Sequence, residues 1–572
     1  MPAQAEQGPK KATDDHGFWS FRSFRFHLTM VLSLGILAMS TVRNALGMAM
    51  VCMINSTAVA ERYSGDPQLS RQYSLVNDSS GQCPPLSSTY LADYDGTIVW
   101  SPTEQGAVFS AIYWGGVIAG IPVGWLANKY SPKWMIMAGF VVLLASCLLS
   151  PVAALKGGII PTFVVRFVQG MCSQVLFTPS STMIISYWVP MNERSTAMSL
   201  TTQGNQIAMV IGPPANAWLC QEKNIAGGWP AIFYANGFFI LLAAVFWWIF
   251  ISDQPDESRW VSDREKHFID QALGGETKAL KEALKANFSV PWKQVWTSMC
   301  LWSCYVCSFA NGLMTATLTS YIPTYYKEVL HLDLTSSGLL SATPFLAQWI
   351  AKVTFSVSAD FLKRRTNISH NVIVKSFNNL GTFGVGVFLI AVGYMKCTQP
   401  TLAVFFLTMA NALYSGLVPG YVTSLVCIAP SLNGVVNGIT RFAGQLASVI
   451  APYIVGGFTQ QGTAAEWRIV FYIMAACMFV SGTLFLIFGT AEIPDWSAMA
   501  KVADEPHPHV APLQPEQVTK IERLRREKEV DEKEDQSTPN EPGDEKPSPS
   551  KGCGETSSQE GAEGSGASDS HQ

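Results

Sequence analysis

The chain has 572 residues, of which 48% are hydrophobic and 14% are charged, and its formal net charge is -4. Soluble domains of average composition carry about 25% charged residues, and burying so apolar a chain in one water-soluble core is implausible at this length. The slightly negative charge gives no indication of a nucleic-acid partner. The composition therefore excludes an ordinary soluble protein and predicts an integral membrane protein.

Apolar segments recur along the chain in two sets of six, separated by a polar stretch. Each is close to the length of about 20 residues that a helix needs to cross a bilayer. The pattern predicts an all-α integral membrane protein with twelve helices in two six-helix bundles. In chain order the segments are 27–54, 106–127, 134–155, 160–187, 198–219 and 231–252, then 294–324, 335–358, 374–395, 401–428, 434–457 and 467–489.

The polar segments divide the chain into an N-terminus, two bundles, a linker and a tail. Lys and Arg are concentrated in the loops on the side of the N-terminus, so we expect both termini and the linker to be cytoplasmic. The tail is rich in Glu, Ser, Pro and Gly, and we expect it to be mostly disordered. The predicted parts are 1–25, the bundle 26–252 with an outer loop at 56–102, the linker 253–293, the bundle 294–489 and the tail 490–572.

The predicted outer loop carries two N-x-S/T sequons, at Asn55 and Asn77. Both are predicted glycosylation sites. We expect Asn77 to be the better acceptor, because Asn55 lies very close to the end of the first membrane helix.

Most of the 12 cysteines, including Cys52, lie in apolar segments. We expect these to be small packing residues. Cys83, Cys220 and Cys397 are predicted to face the outside. One disulfide is possible among them, although their spacing does not favour it.

Arginines inside the predicted membrane helices are the most informative residues. Arg43 lies in the first helix, Arg166 in the fourth and Arg441 in the eleventh. Each costs about 2.5–3.5 kcal/mol at a helix centre, and no Asp or Glu lies well inside an apolar segment to offset that cost. A bound anion is therefore the natural partner. The alternative is that a side chain reaches the membrane interface, which is the interpretation we favour for Lys352.

The sequence lacks the residues that several kinds of chemistry require. The sequence has no G-x-x-x-x-G-K-[ST] phosphate loop, nucleophile elbow or zinc motif, which argues against an ATP-driven pump and against an enzyme. The His residues lie in loops, termini or at a helix edge, so a His- or carboxylate-based proton relay lacks its parts. A sodium site could still be built from hydroxyl, amide and backbone oxygens. We predict no cofactor and no bound metal.

Short segments distributed over almost the whole membrane part resemble one family. They are "RNALGMAMVCMINST" from Arg43, "WSPTEQGAVFSAIYWGGVIAGIPVGWLANKY", "RFVQG" from Arg166, "WVPMNERS", "GWPAIFY", "GLLSATPFLAQW", "EWRIVFYI" and "TAEIPDW". In this order they are similar to the sodium/phosphate and organic-anion cotransporter family of the major facilitator superfamily. That family also contains the vesicular glutamate transporters and sialin.

The resemblance implies the twelve-helix major-facilitator fold, with a central anion site reached alternately from each side. It supports Arg43 and Arg166 as substrate-binding residues, because both fall on arginines that the family uses near its anion site. We expect Asn44 and Asn311 to be polar neighbours of the substrate. Arg441 has no counterpart in the family, and we hypothesise that it supplies a further cation.

Other positions depart from the family pattern. The glutamate carriers have an arginine where this chain has Asn311, and they and sialin have a glutamate where it has Ser173. Cys427 stands where the family has an aspartate in an L-D-I-A-P segment. These changes weaken the case for glutamate as the substrate and for proton coupling.

The sequence thus predicts a secondary active transporter of small anions, either inorganic phosphate or an organic anion, with sodium as one candidate coupling ion. An alternative is a vesicular or lysosomal carrier of a glutamate- or sialate-like anion, driven by a proton gradient or by membrane potential. An anion channel is another, and a receptor or scaffold without transport is the last. We expect a monomer in the plasma membrane, with vesicle or lysosome membranes as the alternative location.

Overall fold

The computed structural model describes residues 19–55, 58–59, 96–173, 177–224, 226–272, 292–366, 368–428 and 433–492. Asn77 and nearly all of the predicted tail lie outside these residues. The glycosylation predicted at Asn77 and the disorder predicted for the tail therefore stay predictions.

The described residues fold into fifteen α-helices. The first half contains α1 (Phe24–Met53), α2 (Pro102–Lys129), α3 (Pro132–Val152), α4 (Ile159–Met171), α5 (Phe177–Trp188), α6 (Met191–Gln221) and α7 (Pro230–Phe250). The second half contains α8 (Trp292–Thr297), α9 (Met299–Glu328), α10 (Leu334–Arg365), α11 (His370–Gly393), α12 (Pro400–Tyr414), α13 (Thr423–Ile428), α14 (Asn433–Phe458) and α15 (Ala464–Phe488).

These helices account for the twelve predicted spans, because α4 with α5 and α12 with α13 each form one span and α8 is a short helix before α9. Six helical segments are apolar and long enough to cross a membrane by composition alone, among them α1, α7 and α15. Of the remaining spans, α2, α6, α9, α10 and α14 pack against helices of the other bundle. A helix that faces other protein rather than lipid carries polar residues, which lowers its mean hydropathy.

The tenth span is interrupted within the described residues. Helix α12 is followed by a 3₁₀ turn and a π-helical turn in which Gly420 has a non-helical backbone conformation. The neighbouring Pro419 cannot donate a backbone hydrogen bond, which explains a break at this point. Interrupted membrane helices typically line a transport site.

The two bundles meet at the ends of helices that are predicted to face outside. There Lys327 Nζ donates to the Val51 carbonyl oxygen over 3.3 Å, and Gln221 Nε2 donates to Thr335 Oγ1 over 2.7 Å. A Cβ atom at Gly106 of α2 would lie 2.6 Å from a carbonyl oxygen of α14, so only glycine fits this crossing. The protein is therefore closed on its predicted outer side.

A disulfide joins Cys52, near the end of α1, to Cys220, near the end of α6. The prediction that Cys52 is only a packing residue is wrong, because α1 and α6 pack side by side and bring their last turns together. Cys397 is also disulfide-bonded. Disulfides persist in oxidising compartments, which agrees with the outer position predicted for these helix ends.

An ion-pair cluster lies at the opposite, predicted cytoplasmic, end of the first bundle. The fully buried Arg25 side chain contacts Glu193 at 2.6 Å and Glu265 at 3.1 Å. Phe268 packs 4.6 Å from the same guanidinium. Since Glu265 and Phe268 belong to the linker, the cluster fastens the beginning of the linker to the base of α1 and α6.

Candidate functional site

A cavity of about 310 Å³ lies between the two bundles, and α6, α9, α10 and α12 form its walls. A smaller space of about 20 Å³ shares part of its lining, including Met209, Leu318 and Phe345. In α10, the lining residues Phe345, Gln348 and Lys352 are spaced i, i+3 and i+7, so they lie on one helix face. The turns that interrupt the tenth span contribute Leu417, Val418, Tyr421 and Val422 to the wall.

A polar network lines the cavity where α9 and α12 meet. The Tyr414 hydroxyl donates to Asn311 Oδ1, and it lies 2.6 Å from the Thr315 hydroxyl. Both Asn311 and Thr315 are half-buried and line the cavity. The structure thus places Asn311, a predicted site residue, in the cavity wall, with its side-chain oxygen engaged by a tyrosine.

Arg43 approaches the cavity from α1. Its Nη2 donates to Asn205 Oδ1 over 2.8 Å, and Ser40 Oγ donates to the same oxygen over 3.0 Å. Asn205 in turn lines the cavity. Within the described part of the chain, no carboxylate pairs with Arg43. The neighbouring Asn44 lines the smaller space, and its Nδ2 is buried without a hydrogen-bond partner.

Arg166 lies behind Arg43 rather than in the cavity wall. Its side chain is 2% exposed, and it donates to the carbonyl oxygens of Val42 and Arg43 over 3.4 and 3.3 Å. It also donates to Gln169 Oε1 over 2.8 Å. The fork of the guanidinium therefore holds the backbone of α1 at the point from which the Arg43 side chain extends.

Arg441 is not brought together with the other predicted site residues. Its side chain is exposed on α14, and it is not among the residues that line either cavity. Contact between Arg441 and a solute would need another arrangement of the bundles.

Lys352 is a cavity residue that sequence reasoning missed. It was interpreted as reaching for the membrane interface, whereas the structure places it in the cavity wall. It is the charged residue among those that line the two cavities, and neither lining includes Asp or Glu. The spacing of Phe345, Gln348 and Lys352 on α10 is the signal that could have placed it there. The walls described for this cavity are therefore electropositive.

Comparisons with known proteins agree with this architecture. Residues 32–452 match the family model of the Major Facilitator Superfamily. A Drosophila melanogaster protein named "Putative inorganic phosphate cotransporter" is 30% identical over 82% of this chain and 86% of its own length. Human sialin is 29% identical over 83% and 91%, and a human protein named "Probable small intestine urate exporter" is 29% identical over 83% and 92%.

Solved structures show the same fold at low identity. A crystal structure of a D-xylose–proton symporter superposes with a TM-score of 0.59 at 15% identity, covering 82% of this chain and 99% of that one. An inward-facing bacterial homologue of the lysosomal transporter Spinster gives 0.55 at 12% identity, covering 85% and 98%. At these identities the likeness concerns the fold alone.

Two helix bundles that enclose a polar cavity, in a chain related to transporters over most of its length, define a membrane transporter and not an enzyme. The predicted twelve-helix fold is confirmed. The chain belongs to the Major Facilitator Superfamily and, within it, to the sodium/phosphate and organic-anion cotransporter family.

Proposed function

We propose that the protein is a secondary active transporter that carries small anions across a membrane by alternating access. The observation that carries this proposal is the position of Arg43, which has no carboxylate partner in the described residues and hydrogen-bonds Asn205 in the cavity wall. A cation held in a membrane protein without a protein acid is matched by an anionic ligand. Relatives named for inorganic phosphate and for urate support an anion as the solute.

In the proposed cycle, the solute enters this conformation from the predicted cytoplasmic side, because the bundles are closed on the other side. Its oxyanion binds at Arg43 and Asn205, and Asn44 and Asn311 supply further polar contacts. Arg166 supports the site by fixing the α1 backbone. The bundles then rock about the bound solute and open the predicted outer side.

Sodium coupling is the leading form of this proposal, with coupling to a proton gradient or to membrane potential as the alternative. The described cavity walls hold amide and hydroxyl oxygens but no carboxylate, and such oxygens suit a sodium site. We further propose a monomer in the plasma membrane, with vesicle or lysosome membranes as the alternative. Imaging of the tagged full-length chain separates these locations.

Uptake into proteoliposomes tests the transport proposal. Labelled inorganic phosphate and labelled organic anions are offered under imposed sodium, proton and voltage gradients. We expect saturable uptake that one of the gradients drives. Equal uptake with and without a sodium gradient would exclude sodium coupling but not anion transport. Unitary currents without saturation would indicate a channel instead of a carrier.

Replacing Arg43 in the same assay tests the anion site. We expect Arg43→Gln to lower uptake at least about tenfold, because a charge-assisted hydrogen bond contributes about 1.5–3 kcal/mol. Arg22→Gln is the matched control, since Arg22 is exposed near the N-terminus. Undiminished uptake by Arg43→Gln would contradict the proposal. Unchanged affinity and rate in Arg441→Ala would exclude the role predicted for Arg441.

A further inference from the structure

Lys352 faces the cavity and has no protein partner among the residues that the structure describes. The side chain is half-buried, and within the described residues it forms neither a hydrogen bond nor an ion pair. A lysine that snorkels would place its ammonium at the membrane interface, but this one shares a wall with Tyr414 and Tyr421 in the space between the bundles. A cation at such a depth is costly unless something neutralises it.

Asn411 offers a second free donor in the same wall. The residue is 2% exposed, and its Nδ2 is buried without a hydrogen-bond partner in the described part of the chain. Its neighbours in the wall are already satisfied, because Tyr414 bonds Asn311 and Ser415 Oγ donates to the Gln348 carbonyl oxygen over 2.8 Å. A buried donor without a partner is unfavourable. A hydrogen-bond acceptor that contacts both the Asn411 amide and the Lys352 ammonium would therefore be stabilising.

The chemistry of these two groups specifies their ligand. An ammonium has only donors, and the Asn411 nitrogen is a donor as well. Their common partner is an anionic oxygen, as in a carboxylate or a phosphate. No Asp or Glu lines the described cavity walls and could take that place.

The cavity provides positive or donor groups on both bundles with apolar surface between them. Arg43 and Asn205 belong to the first bundle, whereas Lys352 and Asn411 belong to the second. Met209, Met314, Leu318 and Phe345 supply apolar lining. The volume of about 310 Å³ lies at the lower end of the range of pockets that enclose drug-sized molecules, about 300–1,000 Å³.

We infer that Lys352 and Asn411 form a second anion subsite, and that the transported solute is an organic dianion whose other acidic group binds at Arg43 and Asn205. The inference rests on the proposed function and adds the substrate class to it. Such a solute contacts both bundles at once and binds most tightly when they close around it. That differential affinity is what a ligand needs to shift a conformational equilibrium.

Glutarate and its monoamide, glutaramate, are suitable probes, because they have the same length and differ by one carboxylate. Dissociation constants are measured on the purified full-length chain. We expect wild-type protein to prefer glutarate, and Lys352→Gln to weaken glutarate binding about tenfold or more while leaving glutaramate nearly unchanged. Lys352→Arg should retain the preference for glutarate over glutaramate. Asn411→Leu should weaken the binding of glutarate more than that of glutaramate, as Lys352→Gln does.

Lys363→Gln is the matched control, because Lys363 lies on the same helix, pairs with Asp360 at 3.6 Å and does not line the cavity. The inference is overturned if wild-type protein binds neither probe, if it binds both equally, or if Lys352→Gln affects both probes or neither. A further outcome is that Lys352→Gln weakens glutarate binding only in nanodiscs that contain phosphatidylglycerol and not in nanodiscs of pure phosphatidylcholine. That result would assign Lys352 to a lipid headgroup, and it would also overturn the inference. Gradient-driven uptake of phosphate or a monoanion by the same preparation reports separately on the proposed function.

Discussion

At the scale of single residues, the arginines in the membrane differ in what satisfies them. Arg43 bonds an amide in the cavity wall, whereas the two terminal nitrogens of Arg166 donate to carbonyl oxygens of α1 and to Gln169. The guanidinium of Arg166 thus binds oxygen atoms of the protein itself. We regard Arg166 as a positioning residue in this conformation, and its direct contact with the solute stays a prediction.

Replacing Arg166 distinguishes these roles. Lysine keeps the charge but lacks the planar fork that reaches Val42, Arg43 and Gln169 together. We expect Arg166→Lys to lower the free energy of unfolding by about 2 kcal/mol and to reduce the maximal transport rate, measured by thermal unfolding in detergent and by uptake. A rise in KM at unchanged stability and maximal rate would show instead that Arg166 binds the solute directly.

The sequence was enough to single out Arg43, Arg166 and Asn311, because charged or amide side chains stand out in apolar helices. The direction of a side chain is harder to predict. Lys352 reaches the cavity because of how α10 is rotated about its axis, and α10 packs against α6 of the first bundle and α12 of its own bundle. The pairing of Cys52 with Cys220 likewise depends on contact between residues 168 positions apart in the chain.

At the scale of helices, the presence and order of the membrane helices can be predicted from the lengths of the apolar segments. The interruption of the tenth span cannot be predicted in this way. The segment 401–428 reads as one continuous span, yet the structure divides it. Composition hides this break, since residues around it, such as Leu417 and Val418, are as apolar as the helices themselves. Only Pro419 and Gly420 signal the break, and membrane helices often tolerate both residue types.

The crossing of α9 and α14 provides a test at this scale. A Cβ atom at Gly312 would lie 2.0 Å from the Gly444 carbonyl oxygen, and Ser448 Oγ donates to the Gly312 carbonyl oxygen over 3.1 Å. We expect Gly312→Ala to force the helices apart and to destabilise the protein by about 1–3 kcal/mol. Thermal unfolding in detergent measures the effect.

Gly438→Ala is the control for this prediction, because Gly438 lies on α14 as well and a Cβ atom there would meet nothing within 4 Å. We expect it to leave the stability unchanged. If the two alanine variants unfolded at the same temperature, the close crossing would not be what holds α9 against α14.

At the scale of the whole molecule, the hydrogen bonds described between the two bundles lie at one end of the helices. Hydrogen bonds between them occur at the predicted outer ends, where Gln460 Nε2 donates to Thr103 Oγ1 over 3.0 Å. The cavity lies further along the helices toward the predicted cytoplasmic side. Alternating access requires that this outer contact breaks in every transport cycle.

A cross-link between the bundles should therefore stop transport. Cysteines introduced together at the exposed positions Thr103 and Gln460 can be joined by a short bifunctional thiol reagent, which would hold the outer side closed. We expect the cross-linked double variant to bind its solute from the open side but to lose uptake, and cleavage of the linker to restore it. Asn371 at the start of α11 hydrogen-bonds Glu492, which follows the end of α15, over 2.6 Å. A cross-link between these two residues should leave uptake intact because α11 and α15 belong to the same bundle and move together. Uptake that continued at full rate through the Thr103–Gln460 link would mean that the bundles do not separate at this end, and rocking about the central cavity would have to be abandoned.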